Sequence, residues 1–148
     1  VPQLADWCTV TILEEDGSVQ NLTTAHRDPN KIAWARAIQQ KYPFDPEEPR
    51  GAAAVLRTGK SELYPQISDN LLVAAARDPE HLELLRQVGF HSVMVVPLTA
   101  RDKILGVMSF IAAESGRCYN QSDLALAEEL ARRAALAVDN ARLYRLAQ

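Results

Sequence analysis

Residues 91–98 read His-Ser-Val-Met-Val-Val-Pro-Leu, and residues 104–111 read Ile-Leu-Gly-Val-Met-Ser-Phe-Ile. Both runs have the length and the β-branched composition of strands, and the segment between them is short and polar, so they are predicted to pair as an antiparallel hairpin. Because neither run alternates with polar residues, both faces should be covered, which places the hairpin at the centre of a sheet. Pro97 cannot donate a ladder hydrogen bond and is expected at a bulge or near the strand end, while Gly106 permits close approach of a neighbouring backbone.

Composition limits the class of protein. The chain has 148 residues, enough for one domain that buries most of the surface exposed by its unfolded form. Hydrophobic residues make up 47% and charged residues 24%, and the net charge of -3 comes from interspersed acidic and basic residues. That distribution argues against nucleic-acid binding. No apolar run approaches the roughly 20 residues of a membrane span, so no membrane contact by this domain is expected.

The two cysteines, Cys8 and Cys118, fit neither a metal site nor a disulfide framework by their spacing. We therefore expect no metal and a reducing, cytoplasmic setting. The chain starts at Val1 and enters a strand pattern almost at once, which suggests an excised piece of a longer polypeptide.

The residues before the central hairpin predict a second hairpin and then a helical crossover. Residues 7–13 and 19–26 alternate as strands around an Asp-Gly turn signal at residues 16 and 17. Asp28-Pro29 and Asp78-Pro79 each have the N-cap and proline that begin a helix. A short helix closed by Gly59, a short edge strand, and a helix capped by Ser68 or Asp69 are predicted between them.

From residue 120 onward the chain has no glycine or proline and is predicted to form one long helix, which Asn120 and Asp123 begin as a variant capping box. One apolar stripe is expected to pack on the sheet: Leu124, Ala127, Leu130, Ala131, Ala134, Val138 and Ala141. Further apolar positions exceed what one sheet face requires, and they form the candidate dimer interface: Leu126, Leu136, Leu143 and Tyr144. A parallel homodimer is favoured, and shielding by a helix that precedes residue 1 is the alternative.

These features together resemble a GAF domain, a PAS-like sensory domain of bacterial signalling proteins such as histidine kinases, diguanylate cyclases and PP2C-type phosphatases. The resemblance covers nearly the whole chain and is carried by four segments: Val96-Pro97-Leu98, Ile104-Leu105-Gly106-Val107, residues 56–60 (Leu-Arg-Thr-Gly-Lys) and Ala141-Arg142-Leu143-Tyr144. It implies an α+β fold with a central antiparallel sheet of five or six strands, terminal helices on one face and crossover helices on the other. Residues 1–148 would then be a single sensor domain with a truncated N-terminal helix, and residues 120–148 its dimerisation and signalling helix.

The resemblance also implies a function. The chain would be a non-catalytic regulatory module of a multidomain signal-transduction protein, for example in a two-component system, with an effector domain in the same full-length chain. It would bind a small molecule and relay the change as a rotation or register shift of the C-terminal helix in a homodimer. A ligand-free homodimerisation or spacer module is the alternative. An enzyme of the methionine sulfoxide reductase type needs clustered cysteines, and Cys8 and Cys118 have no third partner.

The sequence leaves the ligand unknown. Candidate pocket residues supply hydroxyl groups, aromatic rings or apolar walls: Thr9, Thr11, Trp34, Tyr64, Ile67 and Val95. Small-molecule sites are mostly apolar with a few polar anchors, and these residues fit that description. They also suit an ordinary core, in which threonines are simply good strand formers, and both interpretations stay open.

Known cofactors of the family are not expected here. Neither cysteine is placed as in the bilin-binding members, so no bilin is expected. The Asn30-Lys31 and Phe44 match to the cyclic-nucleotide signature lacks its acidic pair. His26, His81 and His91 are interpreted as surface or capping residues rather than haem ligands.

Overall fold

The computed structural model describes residues 5–13, 19–26, 28–42, 51–113, 116 and 118–147. It contains five strands within those residues: β1 (Trp7–Leu13), β2 (Val19–Ala25), β3 (Glu62–Tyr64), β4 (Ser92–Ala100) and β5 (Lys103–Ala112). All neighbouring strands are antiparallel, in the order β2-β1-β5-β4-β3. The predicted sheet and its central hairpin are confirmed, and the predicted turn at residues 16 and 17 lies outside the described residues.

The described helices are α1 (Pro29–Lys41), α2 (Ala52–Thr58), α3 (Asp69–Ala75), α4 (Pro79–Val88) and α5 (Gln121–Ala147). Asp28, Ser68 and Asp78 cap α1, α3 and α4 through side-chain oxygens that accept backbone N–H groups. At the start of α5, the side chains of Asn120 and Asp123 each accept the other's backbone N–H at 3.0 Å. The predicted capping box is therefore confirmed, as are the predicted helix starts.

The central hairpin turns through Arg101 and Asp102, whose φ angles of 51° and 63° match the two left-handed positions of a tight hairpin turn. Pro97 pairs with Val107, and the register shifts one residue later, after Leu98. The β3 ladder is short and does not reach Pro97, so no neighbour on that side requires its missing N–H. The predicted position beside a bulge is confirmed.

The two faces of the sheet are covered differently. The α5 face holds the larger core, formed by the described residues Cys8, Val10, Ile12, Met94, Val96, Leu98 and Phe110 against Ala127, Ala131 and Ala135. On the opposite face, α2 covers a smaller cluster centred on Val55, Val95 and Val107. The main core therefore lies between α5 and the sheet.

The predicted inward stripe of α5 was wrong at two positions. Leu130 is 37% exposed and Ala141 is also exposed, whereas Ala127, Ala131 and Ala135 are fully buried. The exposed pair lies roughly 80 to 100° around the helix from the centre of the buried stripe. Small alanine side chains bring α5 close to the sheet, and this narrow contact leaves neighbouring leucines outside it.

A buried carboxylate ties the hairpin turn to α5. Asp139 is 6% exposed, and it accepts a hydrogen bond of 2.8 Å from the Nη2 of Arg101, whose side chain is largely exposed. Farther along α5, Arg142 donates to the backbone carbonyl of Leu13 at 2.8 Å. The sheet end that holds the β4–β5 turn and the C-terminus of β1 is thus linked to the second half of the helix.

Substitutions of the two residues of this ion pair are expected to lower the free energy of unfolding by unequal amounts. Arg101→Met leaves the buried carboxylate of Asp139 without its cationic partner, so we expect the free energy of unfolding to fall by about 1–3 kcal/mol. Asp139→Ala leaves an arginine that is already exposed and can hydrate, so we expect a loss below about 1 kcal/mol. Urea unfolding followed by circular dichroism measures both, and an equal or larger loss for Asp139→Ala would contradict the burial asymmetry.

Candidate functional site

Four of the predicted pocket residues share the sheet face opposite α5, among them Tyr64, which pairs with Val93 of the α2 cluster. Thr9 pairs with Ser109, which pairs with Val95, and Thr11 pairs with Val107. Directly opposed residues of neighbouring strands point to the same face. Because Val95 and Val107 pack under α2, Thr9 and Thr11 also face away from α5.

These residues differ in burial. Val95 is 3% exposed inside the α2 cluster, and Thr11 is 8% exposed, so both are core residues of this face. Thr9 and Ser109 are half-buried. Their hydroxyl groups are therefore the more accessible polar groups of this row, and they are neighbours on β1 and β5.

Tyr64 has a structural role that the sequence did not reveal. Its hydroxyl donates to Oε1 of Glu62 at 2.6 Å, and the same oxygen accepts the Gly51 N–H at 2.8 Å. Gly51 is the N-cap of α2, so the Glu62 carboxylate stabilises the N-terminus of a helix that has no side-chain cap of its own. Tyr64 thus helps to fix α2 over the sheet.

The remaining predicted residues lie on neighbouring elements. Trp34 is half-buried on α1, which lies beside β2. Ile67 is half-buried before α3, and its N–H donates to the carbonyl of His91 at 3.0 Å. The strand residues are thus brought together on one face, while these two residues lie on segments outside the sheet.

Trp7 belongs to the same face but was not predicted as a site residue. It pairs with Ile111, is 4% exposed, and its ring centroid lies 4.4 Å from that of His26. Among the described residues, its indole Nε1 has no hydrogen-bond partner. Buried indole N–H groups normally have an acceptor, so this donor is an exception among the described residues. The alternation of Trp7 with Thr9 and Thr11 was the sequence signal that pointed to it.

An electrostatic contact joins the end of α1 to the start of α4. The Tyr42 hydroxyl donates to both carboxylate oxygens of Asp78, at 2.8 and 3.1 Å, and its ring stacks on His81 with centroids 4.1 Å apart. Desolvation, followed by the hydrogen bond to Asp78, raises the pKa of Tyr42 to about 12. The backbone N–H of His81, followed by the Tyr42 hydroxyl, lowers the pKa of Asp78. At neutral pH this contact therefore joins a neutral phenol to a carboxylate.

The histidines have local partners. The Nδ1 of His26 accepts the Asp28 N–H at 3.0 Å, and the Nδ1 of His81 accepts the Arg77 N–H at 3.0 Å. These two are capping residues, as predicted, whereas the Nε2 of His91 lies 3.2 Å from the Sγ of Cys118. In the part of the chain that the structure describes, no three His, Cys, Asp or Glu side chains are grouped to hold a metal ion.

The candidate dimer residues are exposed on α5. The exposed fractions are 50% for Leu126, 51% for Leu136, 41% for Leu143 and 66% for Tyr144. At about 100° per residue, Leu126 and Tyr144 lie on one line together with the exposed Leu130, and the other two lie roughly 100° away. The apolar surface is therefore broad rather than a single narrow seam.

None of the described helices is long and apolar enough to cross a membrane.

Comparison with known proteins agrees with this architecture. The family model of the GAF domain matches residues 4–138. A comparison with curated proteins gives no match.

Three solved structures illustrate the similarity. The photoproduct state of GAF3 from Slr1393 of Synechocystis sp. PCC6803 has a TM-score of 0.67 at 18% identity, covering 97% of this chain and 88% of that one. The GAF-B domain of DevS from Mycobacterium smegmatis has a TM-score of 0.66 at 14% identity, covering 97% and 87%. The GAF domain of a phosphoenolpyruvate-protein phosphotransferase (ptsP) from Coxiella burnetii has a TM-score of 0.66 at 17% identity, covering 96% and 76%. At these identities the likeness to solved structures shows the fold alone. The match to the family model shows that the chain belongs to the GAF domain family, whose members are sensory and regulatory modules of signalling proteins.

Proposed function

We propose that this domain is a non-catalytic sensor module that binds a small molecule on the sheet face opposite α5 and relays the change through α5. The observation that carries the proposal is the unused indole donor of Trp7, buried beside the half-buried hydroxyl-bearing residues Thr9 and Ser109. One buried donor close to two hydroxyl groups suits a ligand with hydrogen-bond acceptors and an apolar body. Trp34, Tyr64, Ile67 and Val95 would complete the surroundings of that site.

The sheet itself supplies a route to α5. Ser109 lies on the proposed ligand face, while the next residue, Phe110, is fully buried on the opposite face against the α5 core. A displacement of β5 therefore reaches the helix through one strand. In the proposed homodimer, two parallel α5 helices carry this change to an effector domain in the same full-length chain. A cytoplasmic bacterial signalling protein, for example of a two-component system, is the expected context.

The tight packing under α2 favours a second candidate, a ligand-free homodimerisation or spacer module. Val55 and Val107 are fully buried, Val95 is nearly so, and the Tyr64 hydroxyl is engaged by Glu62. That part of the face has the character of an ordinary core. The two candidates differ only in whether the Trp7 side of the face takes up a molecule.

Native mass spectrometry of the purified domain distinguishes them, because it reports oligomeric state and retained small mass together. We expect a dimer with a defined additional mass. Thr9→Val should weaken retention of that mass by roughly tenfold, because it removes one hydroxyl and keeps the shape of the side chain. Thr99→Val is the matched control, since Thr99 is an exposed strand residue on β4. A domain that never carries extra mass, from any expression host, would favour the spacer.

The α5 interface makes a separate prediction. In a parallel dimer each residue lies near its own copy, so Leu126→Glu combined with Tyr144→Glu should weaken dimerisation by about a hundredfold through like-charge repulsion. Val73→Glu is the matched control, because Val73 is 50% exposed on α3, away from α5. Analytical ultracentrifugation over a concentration series measures both. Equal dimerisation of all three proteins would exclude this face as the interface.

A further inference from the structure

A thiol and an imidazole meet at the base of α5. The Sγ of Cys118 lies 3.2 Å from the Nε2 of His91, although the two residues are 27 positions apart in the chain. Cys118 is exposed, and His91 is half-buried. A nucleophile within hydrogen-bond reach of a base is the arrangement that activates a thiol, and exposure lets a reagent approach it.

Buried neighbours hold this pair in place. Next to His91, the fully buried Ser92 donates from its Oγ to the carbonyl of Tyr64 at 2.9 Å and accepts the N–H of Tyr119 at 3.0 Å. Tyr119 follows Cys118 and is 2% exposed. The hydrogen bond between Ser92 and Tyr119 joins the residue after His91 to the residue after Cys118. The core therefore holds the thiol and the imidazole next to each other.

The backbone of His91 is fixed as well. Its N–H donates to the carbonyl of Ala112 at 2.8 Å, and its carbonyl accepts the N–H of Ile67 at 3.0 Å. The imidazole therefore projects from a residue that is bonded on both sides. Such anchoring keeps the base in position without the thiol having to order it.

The other cysteine provides an internal contrast. Cys8 is 4% exposed within the α5 core, and burial raises the pKa of its thiol. A buried thiol of this kind is inert, since both access and ionisation are suppressed. Only Cys118 combines access with a neighbouring base among the described residues.

We infer that Cys118 is a reversible modification site that reacts with low-molecular-weight disulfides, with His91 as the base that takes up its proton. In this step the Cys118 sulfur attacks one sulfur of the disulfide, a new sulfur–sulfur bond forms, and the original one breaks. The leaving thiolate takes the proton from the imidazolium and departs as a thiol. Cys118 is oxidised to a mixed disulfide, and the departing half of the reagent is reduced.

The position gives the modification a consequence. Cys118 lies two residues before Asn120, whose capping box begins α5. A bulky group on the sulfur displaces His91 from its contact and crowds the start of the helix that carries the output. This consequence rests on the proposed function, whereas the chemistry of the thiol does not.

The reaction rate with dithiodipyridine, an uncharged disulfide whose released thiopyridone absorbs, tests the chemistry directly. We expect one thiol of the folded domain to react, and Cys118→Ser to abolish that phase while Cys8 reacts only after unfolding. His91→Gln should slow the reaction roughly tenfold at neutral pH, because the variant lacks the imidazole that takes up the proton of the thiol. His81→Gln is the matched control and should leave the rate unchanged.

Two outcomes would overturn the inference: equal rates for wild type and His91→Gln at every pH, or a fast phase that survives in Cys118→Ser. Circular dichroism shows whether His91→Gln is folded, and His91→Asn replaces it if it is not. The oligomeric state of the modified protein is measured separately. A reactive thiol with no effect on the dimer would leave the site standing and count against the proposed relay alone.

Discussion

Replacing Gly106 with alanine is expected to lower the free energy of unfolding by about 3 kcal/mol, because there is no room for a methyl group at this position. A Cβ built on Gly106 would lie 2.1 Å from the carbonyl oxygen of Thr11 and 3.1 Å from the Cα of Ile12. The obstructing atoms belong to the backbone of β1, so no side-chain rotation relieves the clash. The strands must separate at the middle of the sheet.

Gly89→Ala is the matched control for this substitution. Gly89 ends α4 with a φ of 75°, and a Cβ there meets nothing within 4 Å. Its replacement should reduce stability by only about 1 kcal/mol, through the backbone conformation alone. Urea unfolding of both variants separates the two effects. If Gly106→Ala were no less stable than Gly89→Ala, β1 and β5 would not lie as close as the structure shows.

The signals that the sequence conveyed correctly are local ones. Asp78 followed by proline begins α4, Gly59 closes α2 at a φ of 72°, and the apolar runs of β4 and β5 pair as a hairpin. Each of these depends on residues adjacent in the chain, so composition and spacing are sufficient to predict them. The close approach at Gly106 belongs to the same class, because a glycine within an apolar strand indicates it directly.

The site was harder to predict because it depends on contacts between distant segments. The predicted short edge strand is β3 and contains Tyr64, yet the hydroxyl of this residue is engaged by Glu62 in stabilising α2. His91 was interpreted as a surface or capping residue and Cys118 fitted neither a metal site nor a disulfide framework, and only the fold brings the two together. The alternating pattern of β1 predicts which residues share a face with Thr9, but it does not predict which helix covers that face. Polar partners across 27 positions leave no periodic signal in the sequence.

The helix face was mispredicted at Leu130 for a related reason. Hydrophobic periodicity weights a large side chain above a small one, whereas the contact of α5 with the sheet is made by alanines that permit close packing. Enlarging one of these alanines should therefore destabilise the domain. Ala131 is fully buried on the face of α5 that packs on the sheet, so Ala131→Leu should lower the free energy of unfolding by about 1–3 kcal/mol and move the helix away from the sheet.

Ala137→Leu is the matched control, since it makes the same chemical change on an exposed position of the same helix. Ala137 lies on the line of Leu126 and Tyr144, so added apolar surface there should leave the monomer's stability unchanged and tighten the proposed dimer. Urea unfolding at low concentration and sedimentation at high concentration distinguish the two effects. Equal destabilisation by both variants would mean that α5 does not rest on the sheet by its alanine face. Opposite responses would show that one helix has a structural face and an interaction face, which is the arrangement that a relay through α5 requires.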